Sequence, residues 1–141
     1  MKTVRNVLAL AYFGLLLYIV FFARRRTGIS SRMLNVVPFK NTLRTFQEIN
    51  DYRSQYNFYT NLLGNFLLFL PVSFVFMLIF GADNRTTIFY AFLFSLSIEV
   101  FQYLFRKGVA DIDDIILNVA GAFVGIILCN KLIKNSSQKN Q

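Results

Sequence analysis

The chain has 141 residues, of which 55% are hydrophobic and 17% aromatic, and its formal net charge is +8. A soluble domain of this length cannot bury so much apolar surface, and the apolar residues fall in long uncharged runs, so the excess is predicted to face lipid. The absence of histidine excludes Ser-His-Asp triads and His-containing zinc sites, and basic residues beside apolar runs favour phospholipid headgroups over nucleic acid.

The first uncharged run, Asn6 to Ala23, has two interpretations. Lys2 and Arg5 before it resemble the basic start of a signal peptide. However, the run is long for a signal peptide, lacks an A-x-A-like cleavage site and is followed by Arg24-Arg25-Arg26. These features favour an uncleaved membrane-spanning helix.

The link from Arg24 to Asn57 is long and of mixed composition. Its apolar residues recur at helical spacing toward the end, at Leu43, Phe46, Ile49 and Tyr52. This spacing predicts a short amphipathic helix at the membrane surface.

Three further uncharged runs each predict a spanning helix of roughly 20 residues. They are Phe58 to Phe80, Thr86 to Phe105 with Glu99 inside it, and Ile115 to Asn130, which we extend to Asp111–Asp114 at its start and Ile133 at its end. Gly81–Arg85 and Arg106–Ala110 are predicted to be tight turns. The sequence therefore predicts an all-α bundle of four transmembrane helices over residues 1–135, with a polar, disordered tail over 136–141.

Polar side chains share one face on each of the last three predicted helices. These are Asn61 and Asn65 on the second, Ser95, Glu99, Gln102 and Arg106 on the third, and Asp111, Asp114 and Asn118 on the fourth, followed by Gly121 and Gly125. All three faces come together at one end of the bundle. A carboxylate at membrane depth costs about 2.5 to 3.5 kcal/mol on insertion scales, so Glu99 is predicted to face inward and to carry function.

Simpler roles stay open for several of these residues. Asn and Gln could serve only as hydrogen bonds between helices. Asp111 could cap the fourth helix, with Asp113 favourable in its first turn. The Gly121-x-x-x-Gly125 spacing is typical of close helix packing.

These residues resemble the VanZ-like family of bacterial membrane proteins from Leu34 to Gly125. The motifs that carry the resemblance are Asn35-Val36-Val37-Pro38-Phe39, Asn61-Leu62-Leu63-Gly64-Asn65-Phe66 with Phe69-Leu70-Pro71, Ser95-x-x-x-Glu99-x-x-Gln102, Asp111-Ile112-Asp113-Asp114 and Asn118-x-x-Gly121. Ser73 departs from the glycine that the family often has there. The resemblance implies a multi-pass protein of the bacterial plasma membrane with an envelope role, and reduced susceptibility to glycopeptides such as teicoplanin.

The family also looks related to helical membrane enzymes that include phosphatidylserine synthases of the base-exchange type. This relation implies transferase or hydrolase chemistry on lipid headgroups or lipid-linked phosphates. Glu99 would be the general base, Arg106 would clamp the phosphate and Gln102 would complete the catalytic group. Asn61, Asn65, Ser95 and Asn118 would bind the substrate, and Asp111 and Asp114 could hold Mg²⁺ or Ca²⁺ through oxygen ligands.

In a second hypothesis, the protein binds a ligand and catalyses no reaction. The same polar site could bind a lipid, a lipid-linked precursor or an envelope partner without breaking a bond. The Glu99→Gln substitution separates the two hypotheses, since it keeps the shape of the side chain and removes the base.

Overall fold

The computed structural model describes residues 2–23, 33–106 and 108–138 of the chain. The elements in these ranges are α1 (Lys2–Tyr18), β1 (Met33–Asn35), α2 (Lys40–Gln47), α3 (Tyr52–Phe74), α4 (Asn84–Phe105), β2 (Val109–Asp111) and α5 (Ile112–Gln138). One π-helical turn extends α1 over Ile19–Ala23, and another extends α3 over Val75–Ile79. Four helical segments of the described chain are long and apolar enough to span a membrane, which confirms the predicted all-α membrane bundle.

Carboxylate caps define where α3 and α4 begin. Asp51 accepts a hydrogen bond from the Ser54 N–H at 2.7 Å, and the Ser54 hydroxyl accepts one from the Asp51 N–H at 3.2 Å. Asp83 accepts one from the Thr86 N–H at 2.7 Å. Each bond satisfies a donor that the first helical turn would otherwise leave unpaired. Hydrogen bonds with the Ser54 side chain and then its main chain lower the pKa of Asp51, and the bond from the Thr86 main chain lowers the pKa of Asp83.

Helices α3 and α5 form the central pair of the bundle. A Cβ atom at Gly121 would lie 2.0 Å from the Phe66 carbonyl oxygen, and one at Gly125 would lie 2.3 Å from that of Leu70. The Ser73 hydroxyl also donates to the Ala122 carbonyl at 2.5 Å. The two glycines therefore permit the close backbone approach that their spacing predicts.

Helix α1 packs on the outside of this pair. Its buried side chains Leu16 and Val20 join a core to which the other spanning helices contribute Phe69, Val72, Ala91, Ile98 and Ala122. The Tyr12 hydroxyl donates to the Leu68 carbonyl and fixes α1 against α3. Much of the outward surface of α1 consists of exposed leucine and valine side chains, as expected of a helix that faces lipid.

Three segments differ from the sequence prediction. Arg106–Ala110 is more than a turn, because β2 begins at Val109 and pairs in parallel with β1, which places Asn35 opposite Asp111. Helix α2 ends at Gln47, so the predicted helical spacing breaks before Ile49 and Tyr52 starts α3. Helix α5 continues to Gln138, so residues 136–138 of the predicted tail are helical, whereas 139–141 and Arg24–Arg26 lie outside the described residues.

Candidate functional site

The polar residues predicted from the sequence meet at the end of the bundle where α4 ends and α3 and α5 begin. Buried side chains there include Asn35, Asn65, Ser95, Glu99, Gln102, Asp113, Asp114 and Asn118. Four elements supply these residues, so the site depends on the assembled fold rather than on any one helix.

Glu99 lies inside the bundle and binds main chain. Its side chain is 4% exposed, and Oε2 accepts a hydrogen bond from the Asp111 N–H at 2.9 Å. This contact joins the last turns of α4 to the end of β2. Glu99 therefore fixes the position of the backbone that presents Asp111.

Asp111 holds the start of α5 and the link together. Its Oδ1 accepts hydrogen bonds from the Asn35 side-chain amide at 2.7 Å and from the Asp113 N–H at 3.0 Å. Its Oδ2 accepts one from the Asn41 side-chain amide at 2.6 Å. The bond to the Asp113 N–H is a capping interaction for α5. The two amide bonds attach β1 and α2 to the same carboxylate.

Asp113 is a buried acceptor for the chain around the start of α2. It accepts hydrogen bonds from the Phe39 N–H, from the Thr42 N–H at 3.0 Å and from the Thr42 hydroxyl at 2.8 Å. Phe39 has a φ of 62°, a left-handed conformation that is uncommon for a bulky residue. The contact with Asp113 offsets part of that strain.

Two further pairs join the predicted polar faces. The Asn61 amide donates to Asp114 at 3.3 Å, which joins α3 to α5. The Asn118 amide donates to the Ser95 hydroxyl at 2.8 Å, which joins α5 to α4. Gln102 is 3% exposed, and its Oε1 accepts no hydrogen bond within the part of the chain that the structure describes.

Arg106 is separated from the other residues of its predicted face. Helix α4 ends at Phe105, and Arg106 takes a left-handed conformation with a φ of 54°. Its side chain is exposed, whereas Ser95, Glu99 and Gln102 are buried. The structure therefore does not bring Arg106 into the buried group.

A cleft of about 510 Å³ opens beside this network, between α2, α3 and the start of α5. Its lining consists of Asn41, Thr42, Thr45, Asn57, Phe58, Thr60, Asn61, Leu62, Val109, Asp111, Asp113 and Leu117. Side-chain amides, hydroxyls and two carboxylates thus line one pocket. Of the residues predicted for the site, Asn61 and Asp111 line it, while Glu99, Gln102, Ser95 and Asn118 lie outside its lining.

The acids are arranged as acceptors for protein donors. Among residues 2–23, 33–106 and 108–138, no group of three or more Asp, Glu or Cys side chains is placed to hold a metal ion. Asp111 already accepts from two side-chain amides, and Asp114 accepts from one. Binding of a cation by Asp111 and Asp114 therefore stays a prediction made from the sequence.

The sequence did not predict Asn35, Asn41, Thr42 and Asp113 as site residues, although they form the hydrogen bonds between the link and α5. It also did not predict Thr45, Asn57 and Thr60, which line the cleft. Asn35 and Asp113 belong to motifs that carried the family resemblance, and this was the signal that could have identified them. Asn41 and Thr42 carried no such signal.

Comparisons with known proteins agree with the resemblance drawn from the motifs. The model of the VanZ/LLP1 family matches residues 9–134. Protein VanZ of Enterococcus faecium is 29% identical to the chain in an alignment that covers 96% of this chain and 78% of that protein. No solved structure matches the chain. The matched range includes every residue that lines the cleft.

Proposed function

The chain belongs to the VanZ/LLP1 family, and we propose that it is a bacterial plasma-membrane protein whose cleft binds the headgroup of a lipid or lipid-linked envelope precursor. One observation carries this proposal. A cleft of about 510 Å³ lies at one end of a membrane-spanning bundle, and eight of its twelve lining residues carry amide, hydroxyl or carboxylate side chains. Its volume falls within the range of about 300 to 1,000 Å³ that is usual for ligand sites.

The depth of the cleft fits a headgroup. The span Tyr52–Ile79 has 28 residues, which at about 1.5 Å per residue exceeds a hydrocarbon core of about 30 Å. A span of this length that is not strongly tilted extends into the headgroup region. Tyr52, Tyr56 and Tyr59 are exposed in its first turns, as expected of an aromatic belt at the interface. Asn57 and Asn61 of the cleft lie in the same turns of α3.

The chemistry of the lining favours a particular kind of headgroup. Asn57 and Thr60 are exposed on the cleft wall and can donate or accept hydrogen bonds. Asp111 and Asp113, whose carboxylates accept hydrogen bonds from protein donors, add negative charge beside the cleft, and the described lining contains no lysine or arginine. These groups suit hydroxyl or ammonium groups of a headgroup better than a bare phosphate.

Native mass spectrometry of the purified protein, released from nanodiscs of bacterial lipid, tests the binding. We expect a lipid to be retained by the wild type and lost in Asn57→Leu, which removes an exposed polar group from the cleft. Asn6→Leu makes the same change on α1 at the opposite end of the bundle and should keep the lipid. Equal retention by the two variants would exclude the cleft as the binding site.

A second candidate function is transfer or hydrolysis at the bound headgroup. The observation in its favour is that Asp111, which is half-buried, lines the cleft, where a carboxylate can act as a general base. Lipid profiles of cells with and without overexpression test this candidate. A changed headgroup composition that is lost in Asp111→Asn supports it, while an unchanged profile leaves only the binding function.

The cellular consequence that we propose is lower susceptibility to teicoplanin, as the family resemblance implies. A protein that binds envelope lipids or precursors can alter what the antibiotic meets at the cell surface. We expect expression in a susceptible Gram-positive host to raise the inhibitory concentration of teicoplanin. Asn57→Leu should remove this effect and Asn6→Leu should not, and an unchanged inhibitory concentration with the wild type would exclude it.

A further inference from the structure

We propose that residues 33–47 form a wedge that inserts into the leaflet at the cleft end of the bundle, with its apolar side chains among the acyl chains. The wedge comprises β1, the turn after it and α2. Its apolar surface lies outside the cleft, so its insertion is independent of what the cleft binds.

Helix α2 presents three different faces around its axis. Asn41, Thr42 and Thr45 point to the cleft. At about 100° per residue, Leu43 and Phe46 lie together on a second face, and they are 57% and 55% exposed. The third face is charged and carries Lys40 and Arg44.

The chain before α2 also exposes large apolar side chains. Leu34, Val36, Val37 and Phe39 are 63%, 67%, 52% and 54% exposed. Exposed apolar side chains in such number within one short segment mark contact with a membrane or another protein. The occupant that we infer is lipid, because these side chains belong to a chain with four spanning segments and adjoin their interfacial end.

Charge and anchoring fix how the wedge sits. Helix α2 carries Lys40 and Arg44 on one face and apolar residues on another. This arrangement is typical of a helix that lies in the membrane interface and contacts anionic headgroups. The carboxylates of Asp111 and Asp113 hold β1 and α2 to the start of α5. The wedge is therefore held at a constant depth relative to the spanning helices.

Tryptophan fluorescence tests the insertion cleanly, because the chain contains no tryptophan. The full-length variants Val36→Trp and Leu43→Trp are placed in phosphatidylcholine and phosphatidylglycerol vesicles, with Leu67→Trp on α3 as the lipid-facing reference. Glu48→Trp is the matched control, because Glu48 at the end of α2 lies on the side opposite Leu43 and Phe46 and its side chain is 61% exposed. We expect Val36→Trp and Leu43→Trp to show blue-shifted emission and to lose fluorescence to lipids with brominated acyl chains, as Leu67→Trp does. Glu48→Trp should be quenched mainly by acrylamide in the water.

The opposite pattern would overturn the wedge. If acrylamide quenches Leu43→Trp as strongly as Glu48→Trp, and brominated lipid has no effect, the apolar face does not contact acyl chains. Labelling of Leu43→Cys and Glu48→Cys, in a Cys129→Ala background, with a water-soluble maleimide gives a second measurement with smaller side chains. Slow labelling at position 43 beside fast labelling at position 48 supports insertion, and equal rates contradict it.

Discussion

The role of Glu99 follows from which atom it binds. A carboxylate inside a spanning helix normally indicates function, yet this one accepts the Asp111 N–H and lies outside the cleft lining. Glu99 thus positions the backbone that carries a cleft carboxylate. If Glu99 is a positioning residue, the protein should still function after Glu99→Gln. If Glu99 is a general base, the same substitution should abolish activity.

We predict that Glu99→Gln keeps lipid binding and thermal stability, because glutamine retains an oxygen that can accept the Asp111 N–H. Glu99→Leu removes the acceptor and should destabilise the protein by about 1 to 3 kcal/mol, the usual cost of a buried unpaired donor. Thermal unfolding in detergent measures both variants, with exposed Glu48→Gln and Glu48→Leu as controls. A Glu99→Gln variant that is stable but inactive toward lipid would instead assign Glu99 the role of base.

Asp113 is predicted to hold α2 against α5. In Asp113→Ala three donors from Phe39 and Thr42 lose their acceptor, at a cost of about 1 to 3 kcal/mol for each buried group left unpaired. We expect trypsin, acting on the protein in detergent, to cut faster after Lys40 and Arg44 in this variant. Asp83→Ala, at the other end of the bundle, should leave those two cleavage rates unchanged. Unchanged cleavage in Asp113→Ala would show that other contacts hold α2.

At the scale of elements, the pairing of α3 with α5 rests on glycine. Gly121→Ala would place a methyl group 2.0 Å from the Phe66 carbonyl oxygen, so the helices must separate, and overpacking of this kind costs about 1 to 3 kcal/mol. Gly14→Ala is the matched control, because a Cβ there meets no atom within 4 Å. Thermal unfolding should show a lower Tm for Gly121→Ala and an unchanged or higher one for Gly14→Ala. Equal Tm values would contradict the close approach of α3 and α5.

The caps of α3 and α4 predict a contribution to acid sensitivity. Hydrogen bonds from Thr86 hold the pKa of Asp83 below its usual value, so the ionised cap stabilises the folded protein above a pH of about 4. That contribution is lost as the pH falls through the lower pKa of the folded state. Asp83→Asn keeps an oxygen acceptor without a titrating group, so its Tm should fall less than that of the wild type on acidification. Parallel Tm curves for the two proteins would exclude the effect.

The sequence predicts some elements better than others for physical reasons. Spanning helices follow from uncharged runs, and Glu99 and Asn118 follow from helical spacing, because both patterns are local. The pairing of β1 with β2 is not local, since Asn35 and Asp111 are 76 positions apart in the chain. Arg106 does not share a face with Ser95, Glu99 and Gln102, although helical spacing predicted that it would. Helical spacing holds only up to the last residue of a helix, and α4 ends at Phe105.

At the scale of the whole molecule, orientation decides which lipids the cleft can meet. The four spans place the start of α1 and the end of α5 on the side opposite the cleft. By the order of the spans in the sequence alone, nine basic residues are assigned to the cleft side and six to the other. The nine are Arg24, Arg25, Arg26, Arg32, Lys40, Arg44, Arg53, Arg106 and Lys107, and the six are Lys2, Arg5, Arg85, Lys131, Lys134 and Lys139. The excess of basic residues on the cleft side predicts that this side is cytoplasmic.

We therefore predict that both termini face the outside of the cell and that the cleft meets lipids or precursors of the inner leaflet. Alkaline phosphatase fused after Gln141 should be active and green fluorescent protein fused there should be dark, because the first folds only after export and the second only in the cytoplasm. Fusions truncated after Gln47, in the link, should give the reverse pattern. Fluorescence from the C-terminal fusion would place the cleft on the outer face, where it would meet precursors that already stand beside the antibiotic.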